Sequence, residues 1–360
     1  MQIGIVGLPY SGKSTIFSTL LKHKMQEQPG AKMSAERGVV KVPDERLDRL
    51  TEMFNPKRKV NATIEYIKVP GLEGASAGTR GLPGQFLANL KTVDSLLVVI
   101  RNFENEYYPH PLDRIDPKAD IEYINTEFLL SDLSIVENRY EKLAKLVNKT
   151  QDEKDKKEFA LFEKLKAQLE EEKPLREMDF TEQEQLILKG YQFLTAKPVL
   201  YVINIQEDDI PNAEAIEKDF AYLNTKNSGV TTLSAEIEKE ISELEEEDAA
   251  AFMADLGISE PALLKLIRKS YELLGLISFF TVGEDECRSW PIRKGTNAQK
   301  AAGVIHTDLE KGFIRAETVH YDDLIREGSM QACKEKGLLR LEGKDYIVQD
   351  GDILNIRFNV

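Results

Sequence analysis

Apolar residues gather at the very start of the chain in QIGIV, where Ile3, Ile5 and Val6 mark a short strand. The run from Lys13 through Leu21 then reads as a helix. Further apolar runs at ATIEYIKV, SLLVVI and PVLYVIN are separated by helical or loop stretches. This β/α alternation predicts a mainly parallel sheet with ligand loops at the C-terminal ends of its strands. Between the third and fourth runs the period changes. Leu129, Leu133, Val136, Tyr140, Leu143 and Val147 recur at alternating four and three residues, the seam of a coiled coil. The charged stretch QDEKDKKE and a second apolar spacing at Phe162, Leu165 and Leu169 follow, so two long helices are expected to fold back on each other as an antiparallel arm. Beyond Leu276 come short strand-like runs, ISFFTV, FIRAETV, DYIVQ and ILNIRF, with Asp350-Gly351 as a hairpin signal between the last two. They predict a separate small α+β domain of roughly 80 residues.

Composition narrows the possibilities. A chain of 360 residues is long enough for two or three domains, and 41% hydrophobic residues can fill their cores. The formal charge of −14 argues against nucleic-acid binding by the whole surface, so any RNA contact must be local. Two cysteines, Cys287 and Cys333, exclude a CxxC-based zinc site and suit a reducing compartment. No apolar run is long enough to span a bilayer, and the N-terminus enters a strand at once without room for a signal peptide. A cytoplasmic protein with no membrane association is expected.

The candidate chemistry sits in the loop between the first strand and helix. Residues 7–14 read GLPYSGKS, a full match to G-x-x-x-x-G-K-[ST] in the strand–loop–helix context that the motif requires. Gly7 and Gly12 let backbone N–H groups curl around phosphates, Lys13 reaches the β- and γ-phosphates, and the Ser14 hydroxyl ligates Mg²⁺. Pro9, Tyr10 and Ser11 inside the loop, and Thr15 beside it, complete the expected phosphate-binding set.

The chain also resembles the YchF family, the Obg-like ATPases of the translation-factor GTPase class. ATIEYIKVPGLEGAS, FLANLKTVDSLLVVIRNFEN, INTEFLLSDL, KPVLYVIN, IHTDLEKGFIRAET and GKDYIVQDGDILNIRFNV carry the likeness along nearly the whole length. It implies an α/β fold: a P-loop NTPase G domain over 1–128 and 197–276, a coiled-coil insertion over 129–196, and a C-terminal TGS domain of β-grasp type over 277–360. The Asn204-Ile205-Gln206-Glu207 segment follows the fourth strand where ordinary GTPases carry N-K-x-D. An Asp there accepts from the guanine N1–H and 2-amino groups, and adenine offers neither donor. Glu207 and Ile205 replace the Asp and the Lys, and the N-x-x-E form resembles the family's own pattern, implying ATP in preference to GTP. Ser234-Ala235-Glu236 resembles the last G-domain loop, whose backbone contacts the base. In the loop FENEYYPHP, His110 matches a histidine thought to serve in catalysis, and imidazole can polarise a water near neutral pH. The resemblance further implies the ribosome as partner, with RNA contact through the TGS domain, around His306 and Lys311, or through the arm.

Two positions break the family form. Switch II should read D-x-x-G, yet the chain has Lys68-Val69-Pro70-Gly71. Gly71 keeps the glycine of that signature and is expected among the nucleotide-binding residues, while Lys68 is either a solvated strand-end lysine or a partial substitute for the metal's charge. Glu73 is a better stand-in for the missing carboxylate than Glu65, which lies at an odd strand separation from Lys68. Leu72 occupies the place of the water-orienting glutamine of Ras-like enzymes. In switch I the family's Thr falls on Lys32, with Ser34 the nearest hydroxyl. The expectation is a slow ATPase switch; a nucleotide-binding module with little hydrolysis and a GTPase are the alternatives.

Overall fold

The structure is a computed structural model, and it describes residues 1–22, 36–69, 84–150 and 152–359. It divides into two compact units, 1–40 with 65–266, and 41–64 with 267–360.

The first unit is built on a six-stranded sheet. Strand β1 (Gln2–Val6) leads through the P-loop into helix α1 (Lys13–Lys22), and β2 (Glu36–Lys41) follows. The chain then crosses into the second unit for helix α2 (Glu45–Phe54) and strand β3 (Arg58–Val60) before returning as β4 (Thr63–Lys68). Helix α3 (Gly84–Lys91), β5 (Ser95–Asn102), helices α4 (Pro117–Thr150) and α5 (Glu153–Glu170), β6 (Val199–Ile205) and β7 (Ser228–Leu233) complete it. The strand order is β2-β4-β1-β5-β6-β7. The pairs of β1 with β4 and β5, and of β6 with β5 and β7, are all parallel, as the β/α alternation predicts. Strands β5 and β6 are buried along almost their whole length, which is why their sequences are unbroken apolar runs without alternation. All the strand C-termini around β1 open at the same edge, and the P-loop lies there.

Helix α4 begins twelve residues before the apolar heptads do and continues through them. Leu129, Val136 and Leu143 bury themselves against Leu161, Phe162, Leu165 and Leu169 of α5, and Tyr140 stacks on Phe159 with ring centres 4.9 Å apart. Leu133 is only half-buried, so the seam is tightest at every second heptad position. The root of α4 is fastened by Asp132, whose carboxylate accepts from Leu194 N–H (3.1 Å) and from the N–H and hydroxyl of Thr195 (2.7 Å each). Burial pushes this carboxyl up to about 6 despite its three donors.

The second unit holds another six-stranded sheet, with β8 (Leu276–Thr281), β9 (Glu286–Arg293), β10 (Phe313–His320), β11 (Arg340–Glu342) and β12 (Asp352–Phe358) in the order β11-β10-β12-β8-β9-β3. The helix Ala298–Ile305 lays its small face, Ala298 and Ala301, on Phe279, Trp290 and Leu354, an arrangement of the β-grasp kind. Two features differ from the sequence reading. DYIVQ is not a strand: Tyr346 O is taken by Ala298 N–H and Val348 N–H by Thr296 O, so this backbone pairs with the helix approach. Asp350-Gly351 is therefore a turn into β12, with Gly351 at φ +90°, and not a hairpin between strands. The other difference is residues 41–64, which the sequence reading includes in the 1–128 segment of a discontinuous G domain and which here belong to the second unit. Leu47 and Leu50 of α2 lie in the core of Phe280, Cys287 and Val319, and β3 runs parallel to β9. An amphipathic helix shows in sequence that it has an apolar face, not which core receives it.

Among the described residues no helix is long and apolar enough to cross a membrane.

Candidate functional site

The P-loop backbone needs its two motif glycines for different close approaches. At Gly7, φ is +154° and a Cβ would fall 2.4 Å from Val99 O; at Gly12, φ is +96° and a Cβ would fall 2.1 Å from Asn204 Nδ2. Tyr10 also takes a left-handed conformation, φ +59°, which a side chain other than glycine adopts at some cost. Its ring leans on Tyr108 at 5.3 Å.

This loop closes one end of a cleft of about 690 Å³. Tyr10, Ser11, Gly12, Lys13, Ser14 and Thr15 line the phosphate end. Asn204, Ile205, Gln206, Ala235 and Glu236 form a wall from the ends of β6 and β7, and Phe103 and Tyr108 face them from the loop after β5. Asn204 is the brace of the site. It is buried at the end of β6, its Nδ2 donates to Ser11 O (3.0 Å), and its Oδ1 accepts from Ala235 N–H (2.9 Å). One amide thus joins the phosphate loop to the loop that follows β7, which is the physical reason for an Asn at the head of the N-x-x-E segment.

Lys13 is buried, and its ammonium donates to Leu8 O at 2.6 Å, folded along its own loop. Ser14 is exposed at the first turn of α1, and no described residue bonds its hydroxyl, which is thus available to a cation beside the phosphates. Pro9 and Gly7 shape the loop without lining the cleft. Ser234 is buried beneath the Ala235 turn, with its hydroxyl unpartnered.

Three expected positions are placed differently from the rest. Glu207 is exposed, opens a short 3₁₀ turn (Glu207–Asn212) and does not line the cleft, so the acidic residue at the guanine-reading position is outside it. Lys68 also stays outside the cleft: its ammonium is 2.6 Å from Glu36 and 5.6 Å from the centre of the Phe17 ring. Lys68 is thus held by Glu36 and the Phe17 ring at the end of β4. His110 is only 5% exposed and does not line the cleft. Its Nδ1 accepts from Leu112 N–H (3.2 Å), which leaves the proton on Nε2, and Nε2 donates to Asp120 (2.8 Å). Burial raises the Asp120 carboxyl above the usual carboxylate range, opposed by His110 and Arg114. With both nitrogens engaged inside the protein, His110 orients no water in this conformation. Gly71, Leu72, Glu73, Lys32 and Ser34 lie outside the described residues.

The cleft also contains residues that the sequence reading passed over. Phe103, Asn105 and Tyr108 belong to the same loop that was singled out for His110, and Lys239 stands one helical turn after Glu236. The i, i+3 spacing from Glu236 was the available signal for Lys239; nothing in the loop sequence separates its cleft-facing residues from its buried histidine.

Two family models match different parts of the chain. The model for the "50S ribosome-binding GTPase" family matches residues 2–164, and the YchF-GTPase_C model, described as "Protein of unknown function (DUF933)", matches residues 276–359. The chain is 44% identical to the ribosome-binding ATPase YchF of Bacillus subtilis over 366 residues, with all of both chains covered. It is 41% identical to that of Escherichia coli O157:H7, covering 100% of this chain and 99% of the other. It is 39% identical to the Obg-like ATPase 1 of rice, Oryza sativa subsp. japonica, covering 100% and 92%. The structure of the YchF GTPase of Schizosaccharomyces pombe superposes with a TM-score of 0.87 at 35% identity, covering 99% of this chain and 97% of that one.

Proposed function

The chain belongs to the YchF family of Obg-like ATPases, and from that premise we propose that it is a nucleotide-dependent switch that binds ATP in preference to GTP, hydrolyses it slowly and acts on the ribosome. The observation that carries this reading is the cleft itself: a phosphate-cradling loop braced by Asn204 to a base end that presents Ile205 and Gln206, with Glu207 turned out of it. A guanine in that place would lack the carboxylate that normally accepts from its N1–H and amino group. An adenine loses nothing by the same absence. The names of the ribosome-binding relatives support the ribosome as partner, and a cytoplasmic location is part of the same proposal.

Mg²⁺ fits the phosphate end through Ser14, whose hydroxyl is free of other partners among the described residues. No group of three or more His, Cys, Asp or Glu that could hold a metal occurs among those residues, so the ion would be held by Ser14 together with the nucleotide's own phosphates. When bound it would neutralise charge on the β- and γ-phosphates. Lys13 would leave Leu8 O for the phosphates, and the N–H groups of the loop would orient them.

The buried state of His110 favours a second reading, nucleotide binding with hydrolysis held in reserve until the loop after β5 rearranges. Steady-state phosphate release separates the two. A slow rate with ATP and Mg²⁺ that rises when ribosomes are added, and is absent from Lys13→Ala, supports the switch; no release above the Lys13→Ala background in either condition leaves only the binding module.

A further inference from the structure

A second cavity, of about 430 Å³, lies at the root of the arm, formed by one face of α4 from Lys118 to Leu130, the segment after α5, Thr195, and the turn at Tyr222 and Leu223. It shares no residue with the nucleotide cleft. Its size is that of small-molecule sites. Ile121, Phe128, Leu129 and Leu223 make its buried apolar walls, while Leu130 (53% exposed) and Tyr222 (60% exposed) stand at its mouth.

One charged residue among those lining it is buried. Arg176 is 8% exposed, and its guanidinium makes two long hydrogen bonds, Nη1 to Thr195 O at 3.4 Å and Nη2 to the Tyr201 hydroxyl at 3.3 Å. Neither acceptor is charged. The Tyr201 hydroxyl itself donates to Asn125 Oδ1 at 2.7 Å, which orients its lone pair toward the arginine. Among the described residues no carboxylate pairs with Arg176. The buried carboxylate of Asp132, which shares Thr195 with this site, spends its oxygens on Leu194 and Thr195. A buried guanidinium with five donors, two weak neutral contacts and no counter-charge is an arrangement that an anion improves.

We propose that this cavity is a binding site for a small amphipathic monocarboxylate, with the carboxylate on Arg176 and an aromatic or branched apolar body along Ile121, Phe128, Leu129 and Leu223. The charges at the mouth select among anions. Lys118 is exposed there, but so are Glu122 and Glu172, and these two acids repel a second negative charge. A nucleotide or a phosphate dianion is thereby disfavoured, and a single carboxylate with an uncharged tail is not. The planar fork of an arginine also suits a carboxylate in a bidentate grip. The site is thus distinct in ligand as well as in place from the nucleotide cleft.

The test is ligand-observed NMR titration of the full-length chain with a panel of aromatic and branched-chain monocarboxylates headed by 3-phenylpropionate. The neutral isostere 3-phenylpropanamide and the dianion phenyl phosphate serve as controls, and each titration is run with and without saturating ATP. The expected result is that at least one carboxylate binds, that its amide binds about tenfold more weakly or worse for want of the charge-assisted pair, that phenyl phosphate is also weaker, and that ATP does not compete. Arg176→Met should abolish the preference of carboxylate over amide. Leu130→Asp, at the exposed mouth where folding is not at stake, should weaken carboxylate binding while leaving ATP affinity unchanged. Binding of no carboxylate in the millimolar range, equal binding of the amide or of phenyl phosphate, competition by ATP, or indifference to Leu130→Asp would each overturn the assignment.

Discussion

At the scale of single residues, the site depends on side chains that join loops as much as on those that would touch a ligand. Asn204 is the clearest case. Asn204→Ala leaves Ser11 C=O and Ala235 N–H without their partner in a buried setting, a loss of about 1–3 kcal/mol per orphaned group. A titration with a fluorescent ATP analogue is expected to show affinity down by at least about tenfold, with the protein still folded by circular dichroism; parental affinity would mean that the two loops hold their places without it. His110 supports a different expectation. Its removal leaves Asp120 buried with Arg114 alone, so His110→Ala should lower unfolding free energy by about 1–3 kcal/mol in urea titration. A variant as stable as the parent would show that the histidine is not held inside the protein in solution. The P-loop residues and Asn204 were legible in sequence because motif chemistry fixes both residue type and spacing. The buried state of His110 was not, because one histidine between two prolines carries no sign of the carboxylate ten residues on that receives it.

At the scale of elements, periodicity was read correctly where one partner is adjacent in the chain. Helices α4 and α5 meet along the apolar positions that the heptads marked. It failed where the partner is remote or irregular: DYIVQ has the composition of a strand, but its backbone bonds go to the approach of the helix Ala298–Ile305. Strand β9 was overlooked because charged and proline residues interrupt ECRSWPIR, and pairing with β8 and β3 supplies the hydrogen bonds that its composition does not advertise. The arm's attachment also has a pH signature. The Asp132 carboxyl sits at about 6 in the folded chain and near 3.8 when unfolded, so between those values the native state holds a proton that the unfolded chain has lost. Its contribution to stability is therefore greatest below about pH 4, falls as pH rises to about 6, and is flat above. The change is on the order of 2–3 kcal/mol. Urea titrations of parent and Asp132→Asn across this range should give a stability difference that shifts against the parent by that order as pH rises; a constant difference would show that the three donors keep the carboxylate ionised throughout.

At the scale of the whole molecule, the alternation of strands and helices foretold the parallel sheet and the position of the cleft at its C-terminal edge. What it did not foretell is that residues 41–64 leave the first unit for the second and return. No shift in composition marks that excursion, since α2 and β3 are amphipathic or short in the way of elements in either unit. The acidic balance of −14 sets an expectation at this scale too, because a negatively charged molecule that engages a ribosome must do so through restricted basic patches, whose grip weakens with salt. The cleft's choice of base is the property on which the proposed function turns. Its most direct test is equilibrium binding of ATP and GTP to the purified full-length chain, side by side in the presence of Mg²⁺, with Lys13→Ala as the control. Tighter binding of ATP than of GTP, with both lost in the control, is the result the account predicts; GTP bound as tightly as ATP or more so would contradict it.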